Sequence, residues 1–292
     1  MAREETPLGR IQSDFLSSPT AVFGLLLLAA ILVVAIAAPF ISPQNPYDLA
    51  QLDVMDGRLP PGAKTDGGTF WLGTDDQGRD MLSAIFYGLR ISLTVGVVST
   101  VVALALGLAL GLAAAYFGGR TETVIMRIAD IQLSFPAILI ALILLAVLGQ
   151  GMLKIIAALV TVQWAYYART VRSAALVEKR KEYIEAARCL ALPASRIVFR
   201  HLLPNCLPPL IVVATVQVAA AIALEATLSF LGLGLPITEP SLGLLIANGY
   251  QYLLSGKYWI SFFPGVALLI TIVSINLVAD QLRDVLNPRL QR

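Results

Sequence analysis

The chain has 292 residues, of which 57% are hydrophobic and only 14% are charged. Soluble globular domains have about 45–50% apolar and about 25% charged residues, so the composition excludes an ordinary soluble protein and indicates a membrane protein. The formal net charge of +2 gives no reason to expect a nucleic-acid partner, and the single histidine excludes a multi-histidine metal site.

Six segments of the chain are apolar enough to form helices across a membrane. A helix that crosses a hydrocarbon core about 30 Å thick needs about 20 apolar residues, because each residue advances it by about 1.5 Å. We therefore predict an all-α integral membrane protein with six transmembrane helices, at residues 21–41, 91–117, 125–148, 152–167, 208–233 and 259–278. Membrane lipid is the predicted surrounding of these segments, and the first is expected to be a retained span rather than a signal peptide.

Positive charge distinguishes the two sides of this predicted bundle. Eight lysines and arginines lie in residues 169–205, and further arginines lie near both ends of the chain. The positive-inside rule places these three regions in the cytoplasm, which predicts a multi-pass protein of the bacterial inner (plasma) membrane with both termini cytoplasmic.

The predicted organisation follows from these spans. Residues 1–20 form a cytoplasmic segment, 21–41 the first transmembrane helix, and 42–90 an extracytoplasmic loop that ends in a short amphipathic helix at 80–89. Residues 91–280 form a core of five transmembrane helices with a cytoplasmic loop at 168–206, and 281–292 form a cytoplasmic tail. Residues 42–46 and 60–63 are rich in proline and turn formers, so we expect irregular structure there.

The cytoplasmic loop has the features of a docking segment. Its residues are good helix formers, and Pro193 is expected to divide it into two short helices. The small side chains of Ala186 and Ala187 would let another surface approach closely, and the charges of Glu185 and Arg188 would orient that surface. An exposed pair of Glu185 with Arg188 on a solvated helix is the simpler alternative.

The segment Glu185-Ala186-Ala187, followed by Ala191 and then by Leu203-Pro204-Asn205, resembles the EAA loop of binding-protein-dependent ABC importer permeases. That pattern has a glycine where Ala191 stands, and the glycine normally lets the backbone turn between two helices. Residues 72–93, 126–136, 225–234 and 263–284 resemble, in the same order, segments of dipeptide/oligopeptide/nickel-type permeases of the second-subunit kind. The resemblance covers roughly residues 19–289.

The resemblance implies a transport subunit that works within a larger machine. Its implied partners are a second homologous permease, two ATPase subunits and an extracytoplasmic solute-binding protein, with ATP and Mg bound by the ATPases and no cofactor bound by this chain. Di- or oligopeptides are the implied cargo, although nickel, glutathione, opines and some sugars are carried within the same families. The implied ATPase-coupling residues are Tyr183, Glu185, Ala186, Ala187, Arg188, Ala191, Pro204 and Asn205.

The motifs of ATP hydrolysis and common enzymes are missing from the sequence. A phosphate-binding loop needs Gly, four residues and Gly-Lys-Ser/Thr, whereas Gly256-Lys257 is followed by Tyr258. We therefore do not expect this chain to be an enzyme.

Three of the charged residues within the predicted spans are candidate functional residues. Glu225 stands in a long apolar run, where a carboxylate costs about 2.5–3.5 kcal/mol, so it either stabilises helix packing through hydrogen bonds or lines the transport path. Arg127 and Asp130 are three residues apart on one predicted helix and are expected to pair with each other or with a neighbouring helix, or to act in gating. A secondary transporter driven by an ion gradient is the rival function, but it would need more such residues than Glu225 at membrane depth.

A polar turn precedes the second predicted span. It contains Asp75, Asp76, Arg79 and Asp80. Two interpretations remain open for it: a solvated loop, or an outer-face contact with the binding protein or the partner permease.

Overall fold

The computed structural model describes residues 7–48, 52–65 and 68–286, and within these ranges the protein is almost entirely helical. The helices are α1 (Pro7–Leu16), α2 (Pro19–Ile41), α3 (Met81–Phe117), α4 (Gly119–Leu133), α5 (Ala137–Leu148), α6 (Met152–Glu178), α7 (Glu182–Cys189), α8 (Ala194–Arg196), α9 (Leu203–Phe230), α10 (Leu242–Tyr250) and α11 (Trp259–Leu286). A π-helical segment, Ile197–Leu202, joins α8 to α9, and short 3-10 turns lie at Val54–Asp56 and Leu253–Ser255. The strands β1 (Ala63–Thr65) and β2 (Gly68–Phe70) form an antiparallel hairpin in which Ala63 pairs with Phe70.

Four helical stretches are long and apolar enough to cross a membrane: α2, α3, the continuous stretch Ala194–Phe230, and α11. The pair α4 and α5 adds a fifth if the two are counted as one bent span. The 27-residue helix α6 is long enough but is not among these candidates. The all-helical membrane fold is thus confirmed, and the number of six spans stays a prediction.

The predicted short helix at residues 80–89 is wrong as a separate element. Asp80 caps a single helix of 37 residues by accepting a hydrogen bond from the Ser83 N–H at 2.8 Å, and that helix, α3, continues without a break to Phe117. Neither proline nor a turn residue interrupts residues 89–91, so nothing ends the helix there. Gly118, with φ of +64°, ends it.

The predicted third span is also wrong as a continuous helix. The chain bends by 90° between α4 and α5. Pro136 lies at the bend, where it has no N–H to donate and disfavours a helical conformation of the preceding residue, Phe135. Pro136 instead occupies the N-cap position, directly before the first residue of α5.

The second half of the predicted docking loop is not a separate short helix. Pro193 caps α8, which continues through the π-helical segment into α9. In the π segment the Leu203 N–H bonds to the Val198 carbonyl, five residues back. This wider turn directly precedes Pro204, which lacks an N–H and would clash with the carbonyl four residues before it in a regular α-helix. Only α7 is an isolated short helix in this loop.

Helices α3 and α6 form the centre of the bundle. They approach closely at two glycines, which have no Cβ. A Cβ on Gly107 would lie only 2.5 Å from Cβ of Tyr167, and one on Gly111 would lie 2.6 Å from the Ala168 carbonyl oxygen. Glycine at such positions lets two helix backbones meet, as it does in membrane helix pairs. Ala103, Leu112, Tyr167 and Val171 are buried along this contact.

Two structures at the end of the bundle opposite α7 were not expected from sequence. The β1–β2 hairpin begins at Ala63, within the segment predicted to be irregular. Helix α10 lies between α9 and α11, capped by Ser241, whose hydroxyl accepts from the Leu244 N–H at 3.3 Å.

Candidate coupling site

Helix α7 ends in a turn that depends on Ala191. The Ala191 N–H bonds to the Arg188 carbonyl at 2.9 Å, and the Leu192 N–H bonds to the Ala187 carbonyl at 3.2 Å. This pair of bonds is the Schellman arrangement, which requires a left-handed residue after the helix. Ala191 meets the requirement with φ of +51°. Replacing the usual glycine therefore preserves the turn, at a cost of about 1 kcal/mol.

The two faces of α7 have different surroundings. Ile184 and Ala187 are buried and pack with Ile197 and Leu202 of the π-helical segment. The predicted contact role of the alanine pair is therefore wrong for Ala187, because its side chain already supports α7 from within the chain. Ala186 is exposed and remains available to a partner.

Tyr183, Glu185 and Arg188 are exposed together with Ala186. Among the described residues, neither Glu185 nor Arg188 takes part in an ion pair, so the simple alternative of a mutual pair is not what the structure shows. The exposed face of α7 thus carries two carboxylates, since Glu182 is exposed as well as Glu185, together with one guanidinium, one phenol, the small side chain of Ala186 and the thiol of Cys189.

A hydrogen-bond network fixes α7 to the helices on either side of it. The Tyr183 hydroxyl donates to Oε2 of Glu178 at 2.7 Å and accepts from Nδ2 of Asn205 at 3.0 Å. Lys181 donates to Oε1 of Glu178 at 2.6 Å, and Asn205 also donates to the His201 carbonyl at 2.8 Å. The network therefore joins the end of α6, the start of α7 and the first turn of α9, which carries Pro204 and Asn205.

Glu178 and Tyr183 of this network do not change protonation state near neutral pH. Although burial opposes it, the hydrogen bonds from Lys181 and Tyr183 lower the pKa of the Glu178 carboxyl. Burial and the hydrogen bond to Glu178 raise the pKa of Tyr183 to about 12. Glu178 therefore stays ionised and Tyr183 stays neutral across the physiological range.

Lys179 joins the same region to the end of α3. Its Nζ donates to the carbonyls of Ala115 and Tyr116 at 2.8 and 2.9 Å. These carbonyls belong to the last turn of α3, where a cation complements the helix dipole. Burial, together with the charge of Arg188, lowers the pKa of Lys179. The sequence indicated Lys179 only as one of the positive charges of the cytoplasmic loop, because the carbonyls that it contacts lie more than 60 residues away in the chain.

Arg127 and Asp130 on α4 do not pair with each other. Asp130 forms an ion pair with Arg169 of α6, whereas Arg127 is exposed. A second pair joins α4 to α6, in which Nε of Arg172 lies 2.6 Å from Oε1 of Glu122. The first pair is about half exposed at both side chains, so it contributes little to stability.

A cavity of about 910 Å³ opens beside the network, between α6, α9 and the end of α11. Its lining is largely apolar, with polar groups from Arg169, Glu178, Asn205 and Arg283. The cavity lies at the same end of the bundle as α7.

The polar turn before α3 is largely buried, so the interpretation as a solvated loop is wrong, while the outer-face contact stays a prediction. Asp75 and Arg79 are inaccessible and Asp80 is 2% exposed, while Asp76 is half-buried. Nε of Arg79 lies 2.6 Å from Oδ2 of Asp75, and its Nη1 donates to the Ile237 carbonyl at 3.0 Å. Any direct outer-face contact by Asp75, Arg79 or Asp80 would require this turn to open.

Glu225 is inaccessible within α9. Its carboxyl accepts hydrogen bonds from Ser229 of the same helix and Ser92 of α3, at 2.7 and 3.1 Å. Among the described residues, no group of three or more His, Cys, Asp or Glu side chains could hold a metal ion.

The sequence pattern of the family described as binding-protein-dependent transport system inner membrane component matches residues 105–292. The chain belongs to this family. The permease also matches the N-terminal transmembrane domain of oligopeptide transport permease C over residues 6–61. The predicted resemblance to binding-protein-dependent importer permeases is thereby confirmed.

Two relatives align with the permease over nearly its full length. It is 40% identical over 289 residues to the dipeptide transport system permease protein DppC of Escherichia coli K12, covering 98% of this chain and 95% of the relative. It is 36% identical over 288 residues to the di/tripeptide transport system permease protein DppC of Pseudomonas aeruginosa, covering 98% and 93%.

A solved structure shares the fold. The inward-facing MetNI methionine ABC transporter matches with a TM-score of 0.58 at 24% identity, covering 71% of the permease and 98% of that chain. The permease is thus a multi-pass inner-membrane transport subunit and not an enzyme.

Proposed function

We propose that the permease forms half of the translocation path of an ATP-driven importer for di- or oligopeptides. The names of its full-length relatives support this cargo, and nickel, glutathione, opines and sugars are the alternatives. A second homologous permease completes the path, an extracytoplasmic protein delivers the solute, and two ATPase subunits bind ATP and Mg.

Helix α7 is the proposed docking element for an ATPase subunit. The observation that carries this proposal is its division into an exposed face, with Tyr183, Glu185, Ala186 and Arg188, and a buried face held by the π-helical segment. In this proposal the exposed face of α7 binds the ATPase subunit. The contacts of the buried face transmit any displacement of α7 through the π-helical segment to α9. Ala191, Pro204 and Asn205 act in this scheme by fixing the position of α7.

The proposed orientation places α7 and both termini in the cytoplasm. In this orientation the cavity beside Arg169 and Arg283 faces the cytoplasm, and the β1–β2 hairpin and α10 lie on the outer side. Rocking of the helices between inward-open and outward-open arrangements would then alternate access to the path. The Asp130–Arg169 pair joins α4 to α6 at the cavity and is the proposed gating contact.

The test is uptake by the complete assembly reconstituted in proteoliposomes with its binding protein. We expect Glu185→Lys to lower ATP-dependent uptake of a labelled dipeptide at least tenfold, because the reversed charge opposes docking, and to weaken co-purification of the ATPases. Glu239→Lys, the same charge change at the opposite end of the bundle, is the control and is expected to leave ATPase binding unchanged.

Three results decide between the candidate functions. Unchanged uptake and ATPase binding in Glu185→Lys would show that α7 is not the docking element. Uptake that needs no ATP and collapses with an ionophore would identify a secondary transporter instead. ATP-dependent uptake of another solute in preference to dipeptides would retain the importer and replace the cargo.

A further inference from the structure

The carboxyl of Glu225 lies where three helices meet. Ser229 on its own helix and Ser92 on α3 donate to its two oxygens, at 2.7 and 3.1 Å. The Ser241 side chain, at the start of α10, is a further polar neighbour of the carboxyl. Ser241 at the same time caps α10 through the Leu244 N–H. This buried carboxyl therefore joins α9 to α3, and the start of α10 packs against the same junction.

The packing around this carboxyl leaves no space for independent movement of α10. A Cβ on Gly243 of α10 would lie 2.5 Å from Cα of Ala226, the residue next to Glu225 on α9. A Cβ on Gly88 of α3 would lie 3.1 Å from the Pro240 carbonyl oxygen, just before α10. Backbones that meet this closely move together or not at all, because close-packed interiors transmit displacement.

The helix that carries Glu225 begins at the proposed coupling site. Ala194–Phe230 is one continuous helical stretch of 37 residues. At about 1.5 Å per residue, Glu225 lies roughly 45 Å along it from Ala194. A displacement that enters near α7 therefore reaches the opposite end of the bundle through this helix.

We propose that Glu225 is a positioning residue that fixes α9 to α3 at the point where α10 packs against both helices, so that movement of the coupling site moves α10 at the opposite mouth of the path. A buried carboxyl suits this role because its two oxygens accept hydrogen bonds from both α3 and α9. Separating the helices inside an apolar bundle would leave the carboxyl and the serine hydroxyls without hydrogen-bond partners, which opposes the separation. The inference rests on the proposed function, since it requires ATP-driven movement of α7.

The experiment compares Glu225→Gln with Glu225→Leu in the complete assembly. The amide of Gln can accept from Ser229 and donate to the Ser92 hydroxyl, whereas Leu fills the space without hydrogen bonds. We expect Glu225→Gln to keep the ratio of dipeptide transported to ATP hydrolysed within about twofold of the unsubstituted protein. We expect Glu225→Leu to lower that ratio about tenfold, within the usual range of coupling between sites, while ATP hydrolysis continues.

A distance measurement separates this role from general stabilisation. Spin labels at Thr227 on α9 and Gln251 after α10, both exposed, report the α9–α10 distance. We expect the same distance in the nucleotide-free and vanadate-trapped assemblies, and a broadened distribution in Glu225→Leu. If Glu225→Leu does not assemble, Ser92→Ala and Ser229→Ala each remove one hydrogen bond to the carboxyl and are expected to show intermediate loss of coupling.

Two results would overturn the proposal: an unchanged transport ratio in Glu225→Leu and the two serine variants, or an α9–α10 distance that differs between the two nucleotide states of the unsubstituted protein. Failure of the proposed function would be distinct, because the unsubstituted assembly would then show no ATP-dependent transport.

Discussion

At the residue scale, Ala191 stands in a left-handed backbone conformation, with φ of +51°, at the turn that ends α7. Such a conformation costs an alanine about 1–2 kcal/mol, because its Cβ approaches the neighbouring carbonyl, and it costs glycine almost nothing. The bonds from Ala191 and Leu192 to the helix hold the residue there.

We therefore predict that Ala191→Gly stabilises the permease by about 1 kcal/mol, which raises the apparent Tm by about 2 °C. Thermal unfolding of the purified assembly measures the change. The control is Ala186→Gly, inside α7, where glycine is expected to destabilise by about 1 kcal/mol. A lower Tm for Ala191→Gly would show that the turn does not impose strain on Ala191.

The Tyr183 hydroxyl on α7 donates a hydrogen bond to Glu178 at the end of α6 and accepts one from Asn205 at the start of α9. Tyr183→Phe removes both hydrogen bonds and is expected to lower stability by at most about 1 kcal/mol, because the site is partly exposed, and to reduce ATP-dependent uptake by loosening α7. Uptake and Tm measured on the same preparation test this. Tyr166→Phe is the control, since the Tyr166 hydroxyl makes no hydrogen bond in the described part of the chain; equal effects of the two substitutions would contradict the prediction.

At the element scale, the pairing of α3 with α6 depends on glycine. Gly107→Ala places a Cβ 2.5 Å from Cβ of Tyr167, so the helices must separate. We expect a loss of about 1–3 kcal/mol, the usual effect of overpacking. The yield of folded protein in mild detergent and its Tm measure the loss.

The matched control is Gly265→Ala in α11, where an added Cβ meets nothing within 4 Å. Alanine is the better helix former, so this change is expected to be neutral or to stabilise by up to about 1 kcal/mol. Similar losses in both variants would mean that helix propensity, and not the close approach of α3 to α6, determines the result.

At the scale of the whole molecule, the two cysteines provide a test of orientation. Cys189 is exposed at the last position of α7, and Cys206 is buried in α9. If α7 is cytoplasmic, a membrane-impermeant maleimide is expected to label Cys189 only after the cells are permeabilised. Labelling of Cys189 in intact cells would invert the proposed topology, and Cys189→Ser should abolish the signal in either case.

Much of the candidate site was predictable because its signals are local. The segment Glu185-Ala186-Ala187 and the break at Pro193 predict a short helix in the region of α7 from sequence alone, although α7 ends at the Ala191 turn before that proline. Which residues of α7 are buried and which are exposed was not predictable, since the burial of Ala187 depends on Ile197 and Leu202. Lys179 and Glu178 were missed for the same reason: their partners in α3, α7 and α9 are distant in sequence or lie across a turn.

The sequence by itself determined that this protein is helical and lies in a membrane, and it predicted a docking segment, because apolar run length, positive charge and short motifs are properties of contiguous residues. Only the tertiary structure decided that the chain bends between α4 and α5, that the polar turn at Asp75 and Arg79 is buried, and that Glu225 joins α9 to α3. Each of these depends on which distant segments pack together. Burial and hydrogen bonding are set by those neighbours, and the order of residues along the chain does not contain them directly.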